Sequence, residues 1–379
     1  MNFDTKYLIV GAGFYGAVIA ERIANDLGEK VTIIDKRDHI GGNSYSSADK
    51  DTNIEVHKYG SHLFHTSNKE VWDYLSRFTE FNDYQHVVYT TYKGKVYTMP
   101  INLETINSYY EKNLTPSEAY EFVKAEIEKY HIENPKNLEE KAISLIGKPL
   151  YEAFIYGYTK KQWETDPKNL PANIITRLPV RFNYNHRYFK DKYEGLPKDG
   201  YGKVFERMLD HHLIEVKLGV DFFDIKDSIP EDVKVIYSGP VDRYFNYKHG
   251  VLGWRTIDFE VERLKVEDFQ GCAVMNYAEA EVPYTRIHEF KHYHPEREQS
   301  KEETIIFKEF SRKAGEGDDP YYPINTPEDK DMYEKYYKET KNESNVIFGG
   351  RLGTYKYLDM HQVISMALNT FNKEIKSKS

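Results

Sequence analysis

The stretch YLIVGAGFYGAVIAERIAN, beginning at Tyr7, constrains the fold more than any other part of the chain. The apolar run Tyr7 to Val10 reads as a buried parallel strand. Gly11, Gly13 and Gly16 follow in G-x-G-x-x-G spacing, and Ala17 to Asn25 has helical periodicity. Strand, tight turn and helix in that order open a βαβ dinucleotide-binding unit. The glycines let the backbone approach a pyrophosphate, and the helix N-terminus offers free N–H groups to its oxygens. Asp35 ends the next strand, where a ribose hydroxyl would lie. The segment then runs on through Gly41, Gly42 and Asn43, a second place where backbone can crowd against the same pyrophosphate. That extension is typical of FAD-binding folds and rare in plain NAD domains, so FAD is the expected dinucleotide.

A chain of 379 residues has room for two or three domains around this unit. From Leu103 to about Tyr156 the pattern turns helical. Thr115-Pro116 supplies a helix start there, with Glu118 as its capping partner. The stretch Lys161 to Arg187, broken by three prolines, reads as an irregular and mobile connection. Strand-like runs return at KVIYSGP, GCAVMNYAE, YTRIHEFKHY and ETIIFKEF, which predicts an antiparallel sheet. NVIFGGRLGTYKYLDMHQVISMALNTF is again strand, glycine turn and helix, so it should rejoin the first unit. NKEIKSKS reads as a disordered polar tail. The expected class is α/β. A discontinuous FAD-binding Rossmann-like domain (1–66, 203–243, 345–379) carries an inserted helical domain (102–178) and an antiparallel sheet domain (67–101, 179–202, 244–344).

Composition narrows the partners. A net charge of −9 gives no bulk attraction to nucleic acid or an anionic membrane, so a polyanionic ligand must be met by local arginines. The single Cys272 rules out a disulfide framework and a thiolate metal cluster, and no run reaches the ~18 apolar residues a membrane helix needs. A cytoplasmic enzyme is expected.

Arg177, Arg181, Arg286 and Arg351 lie in aromatic, turn-rich surroundings, and two converging guanidiniums could hold a diphosphate. Phe154, Tyr158, Trp163, Tyr188, Tyr321, Tyr322 and Tyr357 could stack on a base and a sugar, or form core. His62 and His65 admit three readings: metal ligands, acid or base groups, or packed side chains. No third or fourth ligand at suitable spacing accompanies them, and no metal is expected. Their position after a strand-end glycine favours hydrogen bonding to a flavin, with His65 ahead of His62. No hydrolase or dehydrogenase set is present, so the flavin must supply the chemistry.

Taken in order, GAGFYGAV, DKRDHIGGN, YGSHLFHT, MPINLETI, KQW, RLPVRFNYNHRYF, PYTRIHEFKH, DPYYPIN and GGRLGTYKYLDMHQVI resemble the bacterial UDP-galactopyranose mutase family from Tyr7 to about Leu368. The resemblance implies redox-neutral isomerisation of UDP-galactopyranose to UDP-galactofuranose, a precursor of cell-surface polysaccharide. The cofactor implied is non-covalent FAD, active when reduced, whose N5 attacks the anomeric carbon to give a flavin–sugar adduct. A homodimer is also implied. Arg177, Arg286, His62 and His65 would be catalytic. Phe154, Tyr158 and Trp163 would meet uracil and the loop. Tyr188, Tyr322 and Tyr357 would donate to the diphosphate, and Asn276 and His86 would meet the uridine and sugar region. Tyr15, Lys36, Leu63, Arg351, Asp359 and Met360 would join the glycine motifs on the cofactor. Two departures stand out: Ser61, where the family often has proline, and His86-Val87, where Asn or a His-Arg pair is common. The competing readings are an amine-oxidase-type flavin oxidoreductase and a non-catalytic nucleotide-sugar binder.

Overall fold

The computed structural model describes residues 4–175 and 180–378. Tyr7–Val10 is the centre of a five-stranded parallel sheet, in the order Val346–Phe348, Lys234–Tyr237, Tyr7–Val10, Val31–Asp35 and Ile214–Leu218. The helix Phe14–Arg22 is buried from Phe14 through Glu21, because the sheet covers one side and the C-terminal helix Met360–Thr370 packs on another. This accounts for its apolar residues all round. Glu21 is buried on this helix with its carboxylate met by Arg22, Arg77 and the Tyr74 hydroxyl, so its charge is paired.

Two expectations change here. Lys234–Tyr237, grouped by its alternation with the antiparallel runs, lies in the parallel sheet beside Tyr7–Val10, as the range 203–243 would have it. A strand covered on both faces and a half-exposed one differ little over four residues. The C-terminal residues also do not read as a free tail. Helix continues through Ile375, and Phe371 and Ile375 are buried in the main core. Burying each such side chain contributes roughly 1.5–3 kcal/mol, which outweighs the local polar composition.

The second sheet has seven strands, in the order Tyr322–Pro323, Trp254–Leu264, Thr304–Lys313, Arg286–Glu289, Val274–Tyr277, Val88–Tyr92 and Lys95–Met99. All pairings are antiparallel except that of Val274–Tyr277 with Val88–Tyr92. The helical unit comprises Leu103–Tyr110, Pro116–Glu128, Leu138–Ile146 and the segment Lys148–Trp163, which widens at Glu152–Tyr156. Thr115 and Glu118 form the expected capping box. Within Lys161 to Arg187, the described residues are tied back to the helices. Leu138 N–H donates to the Leu170 carbonyl at 2.9 Å, and Arg181 N–H to that of Ile101 at 2.9 Å. Among the described residues no helix is long and apolar enough to cross a membrane.

Candidate active site

A cavity of about 1040 Å³ opens at the carboxyl ends of the parallel strands, where a doubly wound sheet places its ligand. Gly11, Gly13, Tyr15, Asp35, Lys36, Gly42, Asn43, His62, Arg351 and Met360, all expected near the cofactor, line it. The helix Phe14–Arg22 begins there with no side-chain cap and no acid in its first turn. Its leading N–H groups therefore remain available to an anion. A Cβ on Gly42 would sit 3.2 Å from the Gly13 Cα, and Gly41 N–H donates to the Ala12 carbonyl at 2.8 Å. The two glycine loops thus touch, and a pyrophosphate can be crowded from both. Size, an uncapped helix end and paired glycine loops fit a flavin dinucleotide.

Gly16, Leu63 and Asp359 do not line this cavity. A Cβ on Gly16 would lie 2.0 Å from the Gly11 carbonyl oxygen and 2.9 Å from Ile9 Cγ2, so this glycine serves helix–strand packing. Leu63 packs on the main core, and Asp359 caps the C-terminal helix with Gln362. Asp35 accepts from Ala12 N–H at 2.8 Å and Arg37 N–H at 3.0 Å, pinning both turns as well as facing the cavity. Sequence reasoning missed several wall residues: Ser238, Asp221, Arg243 and the segment Ala314 to Pro320. Asp319 in that segment accepts from Lys36 and Arg37 at 2.8 Å each, which straps it across the mouth. The Ser-Gly pair ending KVIYSGP was the available signal for Ser238.

Arg286 projects from its strand with Nη2 donating to the Tyr158 hydroxyl at 2.5 Å, and with Nε 3.0 Å from Glu309 Oε1. The latter is a charge contact without hydrogen-bond alignment. Burial opposes the Arg286 charge, but Glu309 and the surrounding tyrosines outweigh it and raise its pKa. Burial likewise opposes the Glu309 charge, and Arg286 and His288 overcome it, holding the carboxyl at about 2. Tyr158 is pushed up to about 12 by burial and stays a neutral donor or acceptor. Asn276, paired in register with Arg286, has a buried Oδ1 with no partner. Tyr322 and Tyr357 stack with ring centroids 5.6 Å apart, and Arg351 lies 5.8 and 5.4 Å from those two rings. Tyr188 is exposed and sits edge-on to His86 at 5.5 Å.

Other candidates go elsewhere. Phe154 is buried in the helical core against Tyr97 and Tyr109, so it is not presented for stacking. Arg181 is buried and donates to the carbonyls of Asn185, Arg187 and Tyr188, which shapes the loop carrying Tyr188. Arg351 donates to the carbonyls of Tyr321 and Leu358, fixing the Tyr322 and Tyr357 segments. Tyr321 is buried, and Trp163 ends its helix half-buried. Arg177 lies outside the described residues.

Of the two histidines, His62 and not His65 lines the dinucleotide cavity. His65 bonds Asp191 through Nδ1 at 2.7 Å, stacks on Phe189 and meets His361 edge-on. The tertiary structure also brings Asp359 and His361 to His65, with one ligand atom of each within 4.8 Å of the others. Spacing in the sequence gave no sign of this group. A second such group, Asp268, Glu289 and His292, has its Glu289 oxygens engaged by Phe269 N–H, Gln270 N–H and the Thr304 hydroxyl.

Burial, with Arg286 and neighbouring histidines, lowers His86 to about 3, and burial holds His57 well below its ordinary value. The unfolded chain binds these protons near pH 6.5 and the folded chain does not, so stability falls as the pH drops below about 6.5. Glu309 adds a loss below about 4.5, its ordinary value, continuing down to about 2. The thermal midpoint should therefore decline from pH 7 to pH 5, and His86→Asn should flatten that slope. Scanning calorimetry across the range checks it, and an unchanged slope in the variant contradicts the assignment.

The sequence pattern of the UDP-galactopyranose mutase family matches residues 153–357, and that of an NAD(P)-binding Rossmann-like domain matches residues 9–78. The chain is 46% identical over 374 residues to a probable UDP-galactopyranose mutase of Klebsiella pneumoniae, covering 99% of this chain and 96% of the relative. It is 42% identical over 376 residues to a dTDP-fucopyranose mutase of Escherichia coli, covering 98% and 99%. A crystal structure of reduced UDP-galactopyranose mutase shares the fold, with a TM-score of 0.73 at 16% identity over 99% of this chain and 96% of that one. The family match over more than half of the chain and the 46% identity over nearly all of it agree with that shared fold, and the chain belongs to the UDP-galactopyranose mutase family.

Proposed function

We propose that this protein interconverts UDP-galactopyranose and UDP-galactofuranose on a non-covalently held FAD. The observation that carries the reading is Arg286, a charged guanidinium backed by Glu309 and bonded to Tyr158, beside the unpartnered Asn276 Oδ1. A diphosphate leaving the anomeric carbon develops charge where that guanidinium stands, with tyrosyl hydroxyls to share it. Bound and reduced, FAD would supply an electron-rich nitrogen nucleophile for this chemistry, which needs no net oxidant. Gly13, Gly42 and the first turn of Phe14–Arg22 would hold the pyrophosphate, and His62 and Met360 would face the flavin end. The division into 1–66, 203–243 and 345–379 for the cofactor, 102–178 for the helices and the remainder for the second sheet agrees with this arrangement. All five parallel strands fall in the first set. A homodimer and a cellular flavin reductant complete the proposal.

The relative named for dTDP-fucopyranose favours a second reading, in which the sugar is a 6-deoxyhexose on a thymidine diphosphate. Protein reduced with one equivalent of dithionite under argon should convert UDP-galactofuranose to the pyranose over many turnovers, by chromatography, and oxidised protein should be nearly inactive. Faster conversion of dTDP-fucofuranose would transfer the assignment to that sugar. Product formed only in proportion to reductant would overturn both and favour the flavin oxidoreductase.

A further inference from the structure

Behind Arg286 runs a largely buried chain of hydrogen-bonded groups, Tyr293, Ser61, His288 and Glu309. The Tyr293 hydroxyl donates to Ser61 Oγ at 2.5 Å, and Ser61 Oγ lies 2.5 Å from His288 Nδ1. His288 Nε2 lies 2.9 Å from Glu309 Oε2, while Glu309 Oε1 faces Arg286 Nε at 3.0 Å. Tyr293, His288 and Glu309 are all within 3% of full burial. With His288 neutral and its proton on Nε2, every group in the chain has a partner of the right sense: hydroxyl to hydroxyl, hydroxyl to ring nitrogen, ring N–H to carboxylate. Burial lowers the His288 pKa, although Glu309 works in the other direction.

Ser61 belongs to the turn Gly60–His62, and His62 lines the dinucleotide cavity. The chain therefore connects the cavity wall to the counter-ion of the diphosphate arginine. A proline at this position, as the family resemblance leads one to expect, has no hydroxyl, so the link depends on this chain's own serine.

We propose that Ser61 and His288 are positioning residues. They hold the His288 tautomer that donates to Glu309, keep the Glu309 carboxylate turned to Arg286, and so set how Arg286 meets the diphosphate. The groups facing His288 and Glu309 agree with this. Thr285 Oγ1 donates to Glu309 Oε1 at 3.1 Å, Phe290 stacks on His288, and Phe259 closes its edge, leaving Ser61 as the polar contact at Nδ1. Without the serine hydroxyl, His288 Nδ1 and the Tyr293 hydroxyl lose their shared partner, so the ring that donates to Glu309 is no longer held from behind and the carboxylate is free to shift relative to Arg286.

This inference rests on the mutase reading, and its test separates the two. UDP binding to flavin-loaded protein is measured by calorimetry for the parent chain, Ser61→Ala, Ser61→Thr, His288→Ala and the double variant Ser61→Ala/His288→Ala. Flavin content and thermal midpoint are recorded for each. Expected are a five- to tenfold weaker UDP affinity in Ser61→Ala with flavin content unchanged, and recovery in Ser61→Thr. Expected too are a larger loss in His288→Ala and no further loss in the double variant, because both changes break one chain. In turnover, Ser61→Ala should raise KM more than it lowers kcat. Unchanged UDP affinity in Ser61→Ala, or additive losses in the double variant, would overturn the proposal while leaving the mutase reading standing. Parallel loss of flavin and midpoint with UDP affinity would assign Ser61 to packing and also overturn it. If the parent chain binds no UDP, both readings fall.

Discussion

Arg286→Ala should lower kcat/KM for the nucleotide sugar by about a hundredfold, roughly 3 kcal/mol of barrier, with the flavin still bound. The loss has two parts. The guanidinium that meets developing phosphate charge is gone, and Glu309, now without its cation, turns a buried carboxylate toward the same phosphates. Arg286→Ala/Glu309→Gln separates them: removing the stranded charge should restore thermal stability and part of the UDP affinity, while turnover stays low. Steady-state kinetics on reduced protein, with flavin absorbance as the occupancy control, measure both. Near-native turnover in Arg286→Ala would remove the residue from the reaction.

Gly16→Ala should cost about 3 kcal/mol of stability and most of the bound flavin. Its Cβ would stand 2.0 Å from the Gly11 carbonyl oxygen and 2.9 Å from Ile9 Cγ2, so helix and strand must separate. Separation moves the first helical turn away from Gly11 and Gly13, where the pyrophosphate would lie. Gly94→Ala is the comparison. A Cβ there meets nothing within 4 Å and only the backbone angle of +73° is strained, so it should lose about 1 kcal/mol and no flavin. Denaturant midpoints and the flavin-to-protein absorbance ratio report the two effects, and full flavin content in Gly16→Ala would contradict the packing argument.

Local features were readable directly from the chain. The glycine turn, the strand before it and the helix after it follow from nearest-neighbour backbone geometry, as does the Thr115–Glu118 capping box. The resemblance through PYTRIHEFKH and GGRLGTYKYLDMHQVI added the site around Arg286 and Arg351, which spacing alone left among four equivalent arginines. What the sequence could not separate were side chains of one type with different surroundings. Arg181 and Arg286 are both flanked by aromatics, yet one spends its Nη groups on backbone carbonyls and the other keeps a carboxylate and a hydroxyl. Phe154 and Tyr158 are one helical turn apart, and only Tyr158 reaches the arginine.

By itself the sequence determined a dinucleotide-binding start, an inserted helical unit, a strand-rich remainder and the family, because these rest on short-range periodicity and on ordered motifs. The tertiary structure decided between the two sheets for Lys234–Tyr237, which its alternation and its domain range assigned differently, and it packed Ile375 into the core. It alone separated His62, on the cavity, from His65, and joined Ser61 to Arg286 across 225 positions of sequence through His288 and Glu309. Burial and hydrogen-bond partnership are set by which surfaces meet when the sheets and helices pack, and those contacts lie far apart along the chain.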